Sequence, residues 1–478
     1  MILKGYIFSI CYAFLCLALA LVAYKAGMPK KYSRKMVHVL VGAEWIILSH
    51  YMGATYHFLI VCLFFLAVLS LAHIKNLMPM ISSESDNAPG TVYYAVGMSI
   101  MAFICLFVPK MLLPFGIGVF ATSVGDGLAG IVGQLLKRGN PKIYKNKTLF
   151  GFLANFITSS AVGVIFKYAY GANLSIWQCV VIGVFSAGLE LITPLGLDNI
   201  TTTVGVSLLS YLFFFVPAVN SYFVPIMLTP YIVALVLQKR VLTRNGLILA
   251  LFLDLVVSLT FGNFGFTLLL SFLVGSVIVD KFKEIKVKQD DITKKEGCRD
   301  GVQVIANGLI PLVMAVMFAG TFRGVFIIGY VAALAEAFAD TAASGFGAFS
   351  NKAYDIFRRR EIKKGLSGGV SVVGTLAAAV GSFFIPAIAT LFGVINLKIF
   401  FITAAAAFLG AMFDSMLGSL LQVKYKCRVC GELTEKEFHC KKRTKKHSGF
   451  EFFDNDVVNL SSGLFASLVA IIFYVLLF

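Results

Sequence analysis

Apolar stretches recur from one end of the chain to the other, and short loops rich in Lys and Arg separate them. An apolar stretch of about 20 residues is typical of an α-helix that crosses a membrane. We read roughly sixteen such spans, at residues 5–24, 36–51, 56–74, 91–108, 111–135, 150–169, 175–193, 201–219, 222–238, 246–261, 263–280, 303–319, 322–342, 369–386, 395–420 and 457–477. The pattern therefore predicts an all-α, polytopic integral membrane protein.

The same order of polar features occurs twice along these spans. Asp126 lies on the fifth span, and Asp340 lies on the fifth span of the second half, 214 residues later (340 − 126). Each is followed by a basic loop, by small or hydroxylated residues that open the next span, by a second acid and by an Asp-Asn pair. Because eight is even, both halves have the same orientation. The sequence predicts two parallel repeats of about eight spans, with domains at residues 1–220 and 221–478.

The basic loops indicate which side of the membrane the polar ends face. They lie at residues 30–35, 137–147, 239–240, 281–288, 358–364 and 424–446, all on one side of the predicted array. By the positive-inside rule this side is cytosolic and both termini are outside. No cleavable signal or transit peptide is visible, so we expect a multi-pass protein of the cell membrane whose sites face the cytosol. The net charge of +17 belongs to these loops and does not indicate a nucleic-acid partner.

Polar residues of the first half gather at the predicted cytosolic ends of its spans. An acid within an apolar segment is costly, and by default it marks a functional site. A Lys beside the free N–H groups of a helix N-terminus can bind phosphate, and carboxylates together with substrate phosphates hold Mg²⁺. The residues concerned are Arg34, Lys35, His38, Asp126, Gly130, Gly133, Lys147, Thr148, Gly151, Glu190, Asp198 and Asn199. This set suits phosphoryl transfer, which depends on positioning and charge neutralisation.

Within this set we predict distinct roles. The candidates for catalysis are His38, Asp126, Lys147, Glu190 and Asp198, and the three acids among them are also candidates for Mg²⁺ binding. The remaining residues are candidates for binding nucleotide or phosphate. Simpler roles stay open, because glycines within a span often serve helix packing, and Lys or Arg at a span end often anchors the helix in the interface.

The second half carries a varied version of this set. Its candidates are Arg299, Gln303, Asn307, Asp340, Ser344, Gly368, Gly369, Ser371, Asp414, Asp454 and Asn455. The first three are four residues apart and line one helical face, and the Gly-rich helix start can cradle phosphate through backbone N–H groups. We predict that the three aspartates are catalytic and bind Mg²⁺. Helix capping by Asp414 and Asp454, and close packing of the glycines, are the simpler alternatives.

The motifs of the first half resemble those of a known family. They are Arg34-Lys35-x-x-His38, Gly90-Thr91-x-Tyr93-Tyr94, Gly125-Asp126-Gly127-x-Ala129-Gly130-x-x-Gly133, Lys147-Thr148-Leu149-x-Gly151, and Glu190 with Asp198-Asn199. This order is similar to that of the phytol kinase and dolichol kinase family of membrane polyprenol kinases. The resemblance implies transfer of a nucleotide γ-phosphate, usually from CTP, to a long-chain prenol. It places metal and nucleotide around Asp126, Lys147, Glu190 and Asp198, whereas His38 as the hydroxyl's base is our own hypothesis.

The second half resembles the phytyl-phosphate kinase family, whose members are paralogues of the prenol kinases. The matching motifs are Arg299-x-x-x-Gln303-Val304-x-Ala306-Asn307-Gly308, Asp340-Thr341-x-x-Ser344, Gly368-Gly369-Val370-Ser371-x-x-Gly374-Thr375, Asp414-Ser415-x-x-Gly418-x-x-x-Gln422 and Asp454-Asn455-Asp456-x-x-Asn459. One position departs from the family pattern, because Gly345 stands where the family usually has Glu. Another acid such as Glu336 compensates, or the second site is altered.

A loop at residues 423–450 interrupts the second half and contains a group of metal-ligand residues. They are Cys427, Cys430, His439, Cys440 and His447. A Cys-x-x-Cys pair followed by His-Cys is consistent with a small structural Zn²⁺ site. Because adjacent residues rarely both reach one metal, His447 is an alternative ligand. A reduced, flexible loop is the simpler interpretation, and a disulfide is disfavoured on the cytosolic side.

Together these features favour a bifunctional prenol-salvage kinase. The first half would convert a prenol to its monophosphate and the second half would convert that product to the diphosphate, with CTP or ATP and Mg²⁺. The expected partners are the bilayer, prenol, prenyl phosphate and nucleotide, and an oligomer is compatible with the sequence. Lipid cytidylyltransferase-type nucleotidyl transfer uses similar residues and stays open. A duplicated secondary transporter would place its acids near the bilayer midplane, whereas these acids lie at span ends.

Overall fold

The computed structural model describes residues 1–75, 90–136, 139–144, 147–193, 196–286, 298–350, 352–355, 360–362 and 366–478. Of the predicted basic loops, residues 137–138, 145–146, 287–288, 358–359 and 363–364 lie outside the described residues. The chain divides into two compact units, Met1–Gln238 and Lys239–Phe478. Each unit is a bundle of α-helices, and the strands are confined to short hairpins between helices.

The first unit contains eleven helices and one hairpin in its described part. They are α1 (Ile2–Lys25), α2 (Lys30–Val41), α3 (Glu44–Tyr51), α4 (Tyr56–Ile74), α5 (Gly90–Phe107), α6 (Leu112–Phe120), α7 (Gly127–Leu135), β1 (Lys142–Tyr144), β2 (Lys147–Thr148), α8 (Leu149–Ala169), α9 (Ile176–Ile192), α10 (Asp198–Phe215) and α11 (Phe223–Lys239). A π-helical segment, Ala121–Asp126, joins α6 to α7. The antiparallel pair of β1 and β2 leads directly into α8.

The second unit contains seven helices and several hairpins in its described part. They are α12 (Arg244–Lys286), α13 (Gly301–Thr321), α14 (Val325–Gly347), β3 (Ala353–Asp355), β4 (Arg360–Ile362), α15 (Val372–Gly381), α16 (Phe384–Leu391), α17 (Leu397–Leu420), β5 (Lys424–Lys426), β6 (Leu433–Thr434), β7 (Phe438–His439), β8 (Lys442–Arg443), β9 (Lys445–Ser448) and α18 (Asn455–Leu477). β3 pairs with β4, and β7 pairs with β8, in both cases antiparallel. Strand β5 lies between β6 and β9 in a three-stranded sheet.

The expectation of an all-α, membrane-spanning fold is confirmed. Among the described residues, 12 helices are long and apolar enough to cross a membrane. Large apolar side chains are exposed on their outer faces, as expected for surfaces that contact lipid; Phe14, Phe107 and Val380 are 68%, 73% and 74% exposed.

The predicted number of sixteen spans is not confirmed. The stretch 36–51 is divided between two short helices, α2 and α3. The stretches 246–261 and 263–280 both lie in α12, which is interrupted by the non-helical residue Gly262 with φ of 60°, so the break falls between the two predicted spans. Helix α9 has only 17 residues. The number of crossings therefore depends on how such short or interrupted helices are counted.

The described core of each unit is closely packed. In the first unit Trp45, Phe58 and Phe115 are almost completely buried, and the ring of Trp45 lies 5.5 Å from that of Phe166. In the second unit the buried Tyr330 donates its hydroxyl to the carbonyl of Gly265 at 2.8 Å, which satisfies its polar atom within an apolar core.

The first unit ends at Gln238 and the second begins at Lys239, whereas the sequence analysis placed the domain boundary between residues 220 and 221. Helix α11 accounts for the difference because it packs on the first unit. Its Tyr231 donates to the carbonyl of Val184 and stacks edge-on against Phe152. The assignment of one activity to each domain stays a prediction.

Candidate active sites of the two units

The first candidate site is built around Asp126, the last residue of the π-helical segment. Lys35 of α2 donates to Asp126 Oδ2 at 2.7 Å and to the Asp126 carbonyl at 3.2 Å. His38, one turn further along α2, places Nε2 3.5 Å from the same carboxylate and 3.2 Å from the carbonyl of Thr122. Single π-helical turns occur frequently at functional sites. The structure thus brings together three of the sequence-predicted residues, and Arg34 is near enough to interact electrostatically with His38.

A second group of charges is centred on Lys147. Its Nζ donates to Glu190 Oε1 at 2.9 Å and to Asp198 Oδ2 at 3.2 Å. Burial opposes the charge of Lys147, but the two carboxylates outweigh burial and raise its pKa above the ordinary value for lysine. The lysine therefore stays protonated at every physiological pH.

These two groups form one site. Asp126 interacts electrostatically with Lys147, Glu190 and Asp198. The three carboxylates, two lysines and one imidazole come from five elements of the unit, which are α2, the π-helical segment, β2, α9 and α10. Carboxylates of this kind can hold Mg²⁺, while the lysines can neutralise the phosphates that the metal also binds.

Glu190 is supported by a polar network that the sequence analysis missed. Asn155 of α8 donates to Glu190 Oε2 at 2.7 Å. The side-chain oxygen of Asn155, Oδ1, in turn accepts hydrogen bonds from the hydroxyls of Ser159 and Ser186, each at 2.9 Å. The signal was the spacing of Asn155 and Ser159 by four residues on an apolar helix, which places two polar side chains on one face.

The predicted phosphate-binding glycines serve close packing in the described structure. A Cβ at Gly130 would lie 2.5 Å from Lys35 Cε, so this glycine makes room for the lysine. A Cβ at Gly133 would lie 2.8 Å from Thr148 Oγ1. Thr148 caps α8 by accepting from the N–H of Gly151 at 3.4 Å. These residues thus fix the position of α8, whose N-terminus carries Lys147.

Asn199 also has a structural contact. Its side-chain amide donates to the carbonyls of Gly90 and Gly196, both at 3.1 Å. This joins the start of α5 to the turn that precedes α10, beside Asp198. The predicted role of Asn199 in nucleotide binding stays a prediction.

In the second unit, Asp340 and Asp414 lie on the neighbouring helices α14 and α17. Glu336, one turn before Asp340, is only 2% exposed and interacts electrostatically with both aspartates. Ser462 of α18 donates to Asp414 Oδ2 at 3.3 Å. Within the described ranges, no Lys or Arg forms an ion pair with these three acids.

A glycine-rich loop lies before α15. Gly368 has φ of +82°, and a Cβ there would lie 2.4 Å from the backbone nitrogen of Ser419, so only glycine is accommodated. Ser371 caps α15 by accepting from the N–H of Gly374 at 3.1 Å. The N–H of Ser367 donates to Glu435 Oε1 at 2.8 Å. Gly369 packs near Ile362 and the Leu366 carbonyl.

Other predicted residues of the second unit have local contacts. Arg299 pairs with Asp280 at 2.7 Å, and Gln303 forms a capping box with Asp300 at the start of α13. The remaining contacts are those of Asn307 with the Gln303 carbonyl, Ser344 with the Thr341 carbonyl, and Asp454 with the N–H groups of Asp456 and Val457. Asp454 is thus the N-cap of α18, which begins at Asn455. These contacts support local structural roles, and ligand binding by this group stays a prediction.

The insert brings four of its five predicted metal ligands together. The ligand atoms of Cys427, Cys430, His439 and Cys440 all lie within 4.8 Å of one another, whereas His447 on β9 is not part of this group.

Comparison with known proteins places these sites in context. The family model described as integral membrane protein DUF92 matches residues 227–467. The chain is 31% identical to the uncharacterized membrane protein MJ0933 of Methanocaldococcus jannaschii over 42% of this chain and 84% of that protein. It is 28% identical to a phytol kinase of Synechocystis sp. over 38% of this chain and 79% of the relative. It is 23% identical to the chloroplastic protein VTE6 of Arabidopsis thaliana over 48% of this chain and 65% of that protein. No solved structure matches the chain.

Proposed function

The chain belongs to the integral membrane protein family DUF92, and on this premise we propose that it is a membrane kinase that phosphorylates a long-chain prenol. The observation that carries the proposal is the charge cluster of the first unit, in which Asp126, Glu190 and Asp198 surround Lys35 and Lys147. Similarity to a phytol kinase supports the same chemistry.

The charges of the first unit suit transfer of a γ-phosphate. The donor set of three carboxylates fits Mg²⁺, so Asp126, Glu190 and Asp198 would hold the metal, which would supply charge neutralisation to the nucleotide phosphates. Lys35 and Lys147 can exchange part of their contact with the carboxylates for contact with phosphate oxygens. Their positive charge then opposes the charge that develops as the γ-phosphate leaves the β-phosphate.

His38 is the candidate base for the alcohol. The prenol oxygen would form a bond to the γ-phosphorus while the bond from that phosphorus to the β-phosphate oxygen breaks. The hydroxyl proton would pass to Nδ1 of His38, because Nε2 faces the Thr122 carbonyl and the Asp126 carboxylate, which only accept hydrogen bonds, and so carries the proton of the neutral ring. The products are a prenyl monophosphate and a nucleoside diphosphate. The prenol tail would remain among the apolar helices and lipid.

The second unit is proposed to phosphorylate the monophosphate to a diphosphate. Glu336, Asp340 and Asp414 would hold Mg²⁺, and the N–H groups of the loop at residues 367–371 would contact phosphate. Glu336 supplies an acid in place of the one that the family has at position 345. Both sites would face the cytosol, with CTP or ATP as donor. The lipid intermediate could then stay in the membrane between the two steps.

A product assay tests this function. The purified full-length chain in detergent would be given phytol, farnesol or geranylgeraniol with Mg²⁺ and γ-labelled CTP or ATP. Label in a lipid monophosphate and diphosphate is expected, with a nucleoside diphosphate as co-product. Release of pyrophosphate with a lipid-linked nucleotide would overturn the proposal in favour of nucleotidyl transfer. So would the absence of any prenol phosphorylation by folded protein that binds nucleotide.

A further inference from the structure

The insert after α17 contains two tight turns that face each other. In the first, the N–H of Val429 donates to Cys427 Sγ at 3.3 Å, and the N–H of Gly431 donates to the Cys427 carbonyl at 3.2 Å. In the second, the hairpin of β7 and β8 carries His439 and Cys440. Cys440 has φ of 52°, a left-handed conformation that is uncommon outside glycine. This backbone conformation turns the thiol of Cys440 towards the same point as the ring of His439. Adjacent residues rarely reach one point in this way.

The distances agree with a tetrahedral metal site. His439 Nδ1 lies 3.5 Å from Cys430 Sγ and 3.3 Å from Cys440 Sγ. A tetrahedral Zn²⁺ with ordinary Zn–S and Zn–N bonds separates its sulfur and nitrogen ligands by about 3.5 Å and its sulfur ligands by about 3.8 Å. All four ligand atoms lie within 4.8 Å of one another.

The electrostatic surroundings also favour bound thiolates. Three thiolates and one Zn²⁺ carry a net negative charge, and the insert is rich in exposed cations that balance it, among them Arg428, Lys441 and Lys442. A metal that prefers sulfur and imidazole ligands in tetrahedral geometry is Zn²⁺.

The position of Glu435 gives this cluster a structural consequence. Glu435 lies in the segment between the ligands Cys430 and His439, and it is 6% exposed. Its Oε1 accepts from the N–H of Ser367, in the glycine-rich loop that precedes α15. A metal that fixes both ends of this segment therefore fixes the carboxylate that holds the loop.

We propose that Cys427, Cys430, His439 and Cys440 bind one structural Zn²⁺, and that this zinc holds Glu435 against the Ser367 backbone. The insert is thus a metal-stabilised clamp on the glycine-rich loop of the second unit. The zinc site and the clamp stand apart from the proposed kinase activity; only the role of the loop in phosphate binding rests on that function.

Zinc content tests the site directly. The full-length chain would be expressed with added zinc, purified in detergent without chelator, and measured by inductively coupled plasma mass spectrometry. About one zinc per chain is expected for the wild type, and about a tenfold lower content for Cys430→Ser. Cys298→Ser is the matched control, because Cys298 is an exposed free cysteine of the same unit outside the cluster. His447→Asn should also retain zinc.

Two results would overturn the zinc site. One is a wild type with less than about a tenth of a zinc per chain, and the other is equal zinc in the wild type and Cys430→Ser. Cobalt substitution of the wild type provides a measurement that does not depend on how a variant folds. Thiolate-to-cobalt charge-transfer bands are expected, and spectra without them would exclude a sulfur-rich site.

Hydrogen exchange tests the clamp. Removal of zinc from the wild type by chelation should increase amide exchange in residues 366–370 by about tenfold or more. Glu435→Ala should also increase amide exchange in residues 366–370, although this variant retains zinc. The effect of the carboxylate is thereby distinguished from that of the metal. Cys298→Ser should leave it unchanged. Unchanged exchange at residues 366–370 after chelation, or in Glu435→Ala, would overturn the clamp.

Discussion

In the first unit the buried carboxylates of Asp126, Glu190 and Asp198 each contact a lysine. In the second unit Asp414 accepts from the hydroxyl of Ser462, and the described part of the chain places no cation against it or against Asp340. A buried charge without a partner is costly, and only an added proton or a bound cation removes that cost. The first site thus contains its own counter-charges, whereas the acids of the second need a proton or a bound cation.

The units share a backbone framework despite this difference in charge. A Cβ at Gly133 would lie 3.5 Å from Gly151 Cα, and a Cβ at Gly347 would lie 3.5 Å from Gly374 Cα. In both units the second glycine donates its N–H to a hydroxylated N-cap, Thr148 in one and Ser371 in the other. The same helix contact therefore supports two differently charged sites.

Single positions account for the difference. Lys147 precedes the N-cap of α8, whereas Val370 precedes the N-cap of α15. The first unit has Thr122 four residues before Asp126, whereas the second unit has Glu336 four residues before Asp340. A Cβ at Gly410 would lie 2.6 Å from Glu336 Cγ, so this glycine provides room for the additional acid. The first unit has lysines around its acids, and the second has an additional acid.

The largest expected effect comes from Asp126→Asn. This change removes the partner of Lys35 while keeping the shape of the side chain. Formation of prenyl monophosphate should fall by about 100-fold or more, since a charge at the reacting centre is lost. Initial rates with labelled nucleotide would measure it. Asp340→Asn is the matched control and should leave this first step within about twofold of wild type. Equal loss in both variants would mean that the two units act as one site.

Glu336→Gln distinguishes a metal ligand from a buried structural acid. Oε1 of Glu336 has no hydrogen-bond partner among the described residues, so an ion is the expected partner. The Mg²⁺ concentration for half-maximal second-step rate should rise by about 10- to 100-fold, with the first step unchanged. Gly410→Ala, which crowds Glu336 without changing charge, should affect rate more than Mg²⁺ dependence. An unaltered Mg²⁺ requirement in Glu336→Gln would remove Glu336 from the metal site.

Removing one charge should have opposite effects on the stability of the two units. Lys147→Met leaves Glu190 and Asp198 unpaired, and we expect a loss of about 1–3 kcal/mol in the free energy of unfolding. Lys147→Arg keeps the charge and serves as control. Asp340→Asn removes an uncompensated charge and should leave stability unchanged or raise it without Mg²⁺. Thermal unfolding in detergent with EDTA measures the stability of both variants. Destabilisation of similar size in Lys147→Met and Asp340→Asn would contradict the comparison.

The smallest expected effect concerns the shared framework. Thr148→Ala and Ser371→Ala each remove a side-chain N-cap, so each should cost about 1 kcal/mol. The exchanges Thr148→Ser and Ser371→Thr should lower the free energy of unfolding by only a few tenths of a kcal/mol. Hydrogen exchange at the first turns of α8 and α15 reports each cap separately. A large effect in one unit alone would show that the two contacts are not equivalent.

The sequence predicted the charged residues of the first site better than their neighbours. Asp126, Lys147, Glu190 and Asp198 were found because charge is costly in apolar segments. The direct pairing of Lys35 with Asp126 depends on how α2 packs, which no local pattern specifies. In the insert, spacing identified the candidate ligands, and the structure groups Cys440 rather than His447 with the other three.

Local structure also adds contacts that the sequence analysis did not consider. Gln303 is predicted to bind a ligand, which stays a prediction, and its side chain accepts from the N–H of Asp300 in a capping box. The Asp-x-x-Gln spacing was visible in the sequence and is a capping signature. The predicted number of spans is not confirmed, whereas the predicted break between residues 261 and 263 coincides with the non-helical Gly262.

Direct supply of the intermediate tests the central claim that the two units are separate sites for successive steps. Prenyl monophosphate would be given to wild type, Asp126→Asn and Asp340→Asn with nucleotide and Mg²⁺, and diphosphate formation would be measured. The account predicts wild-type rates for Asp126→Asn and a rate at least about 100-fold lower for Asp340→Asn. Loss of diphosphate formation in folded Asp126→Asn, or its retention in Asp340→Asn, would contradict it.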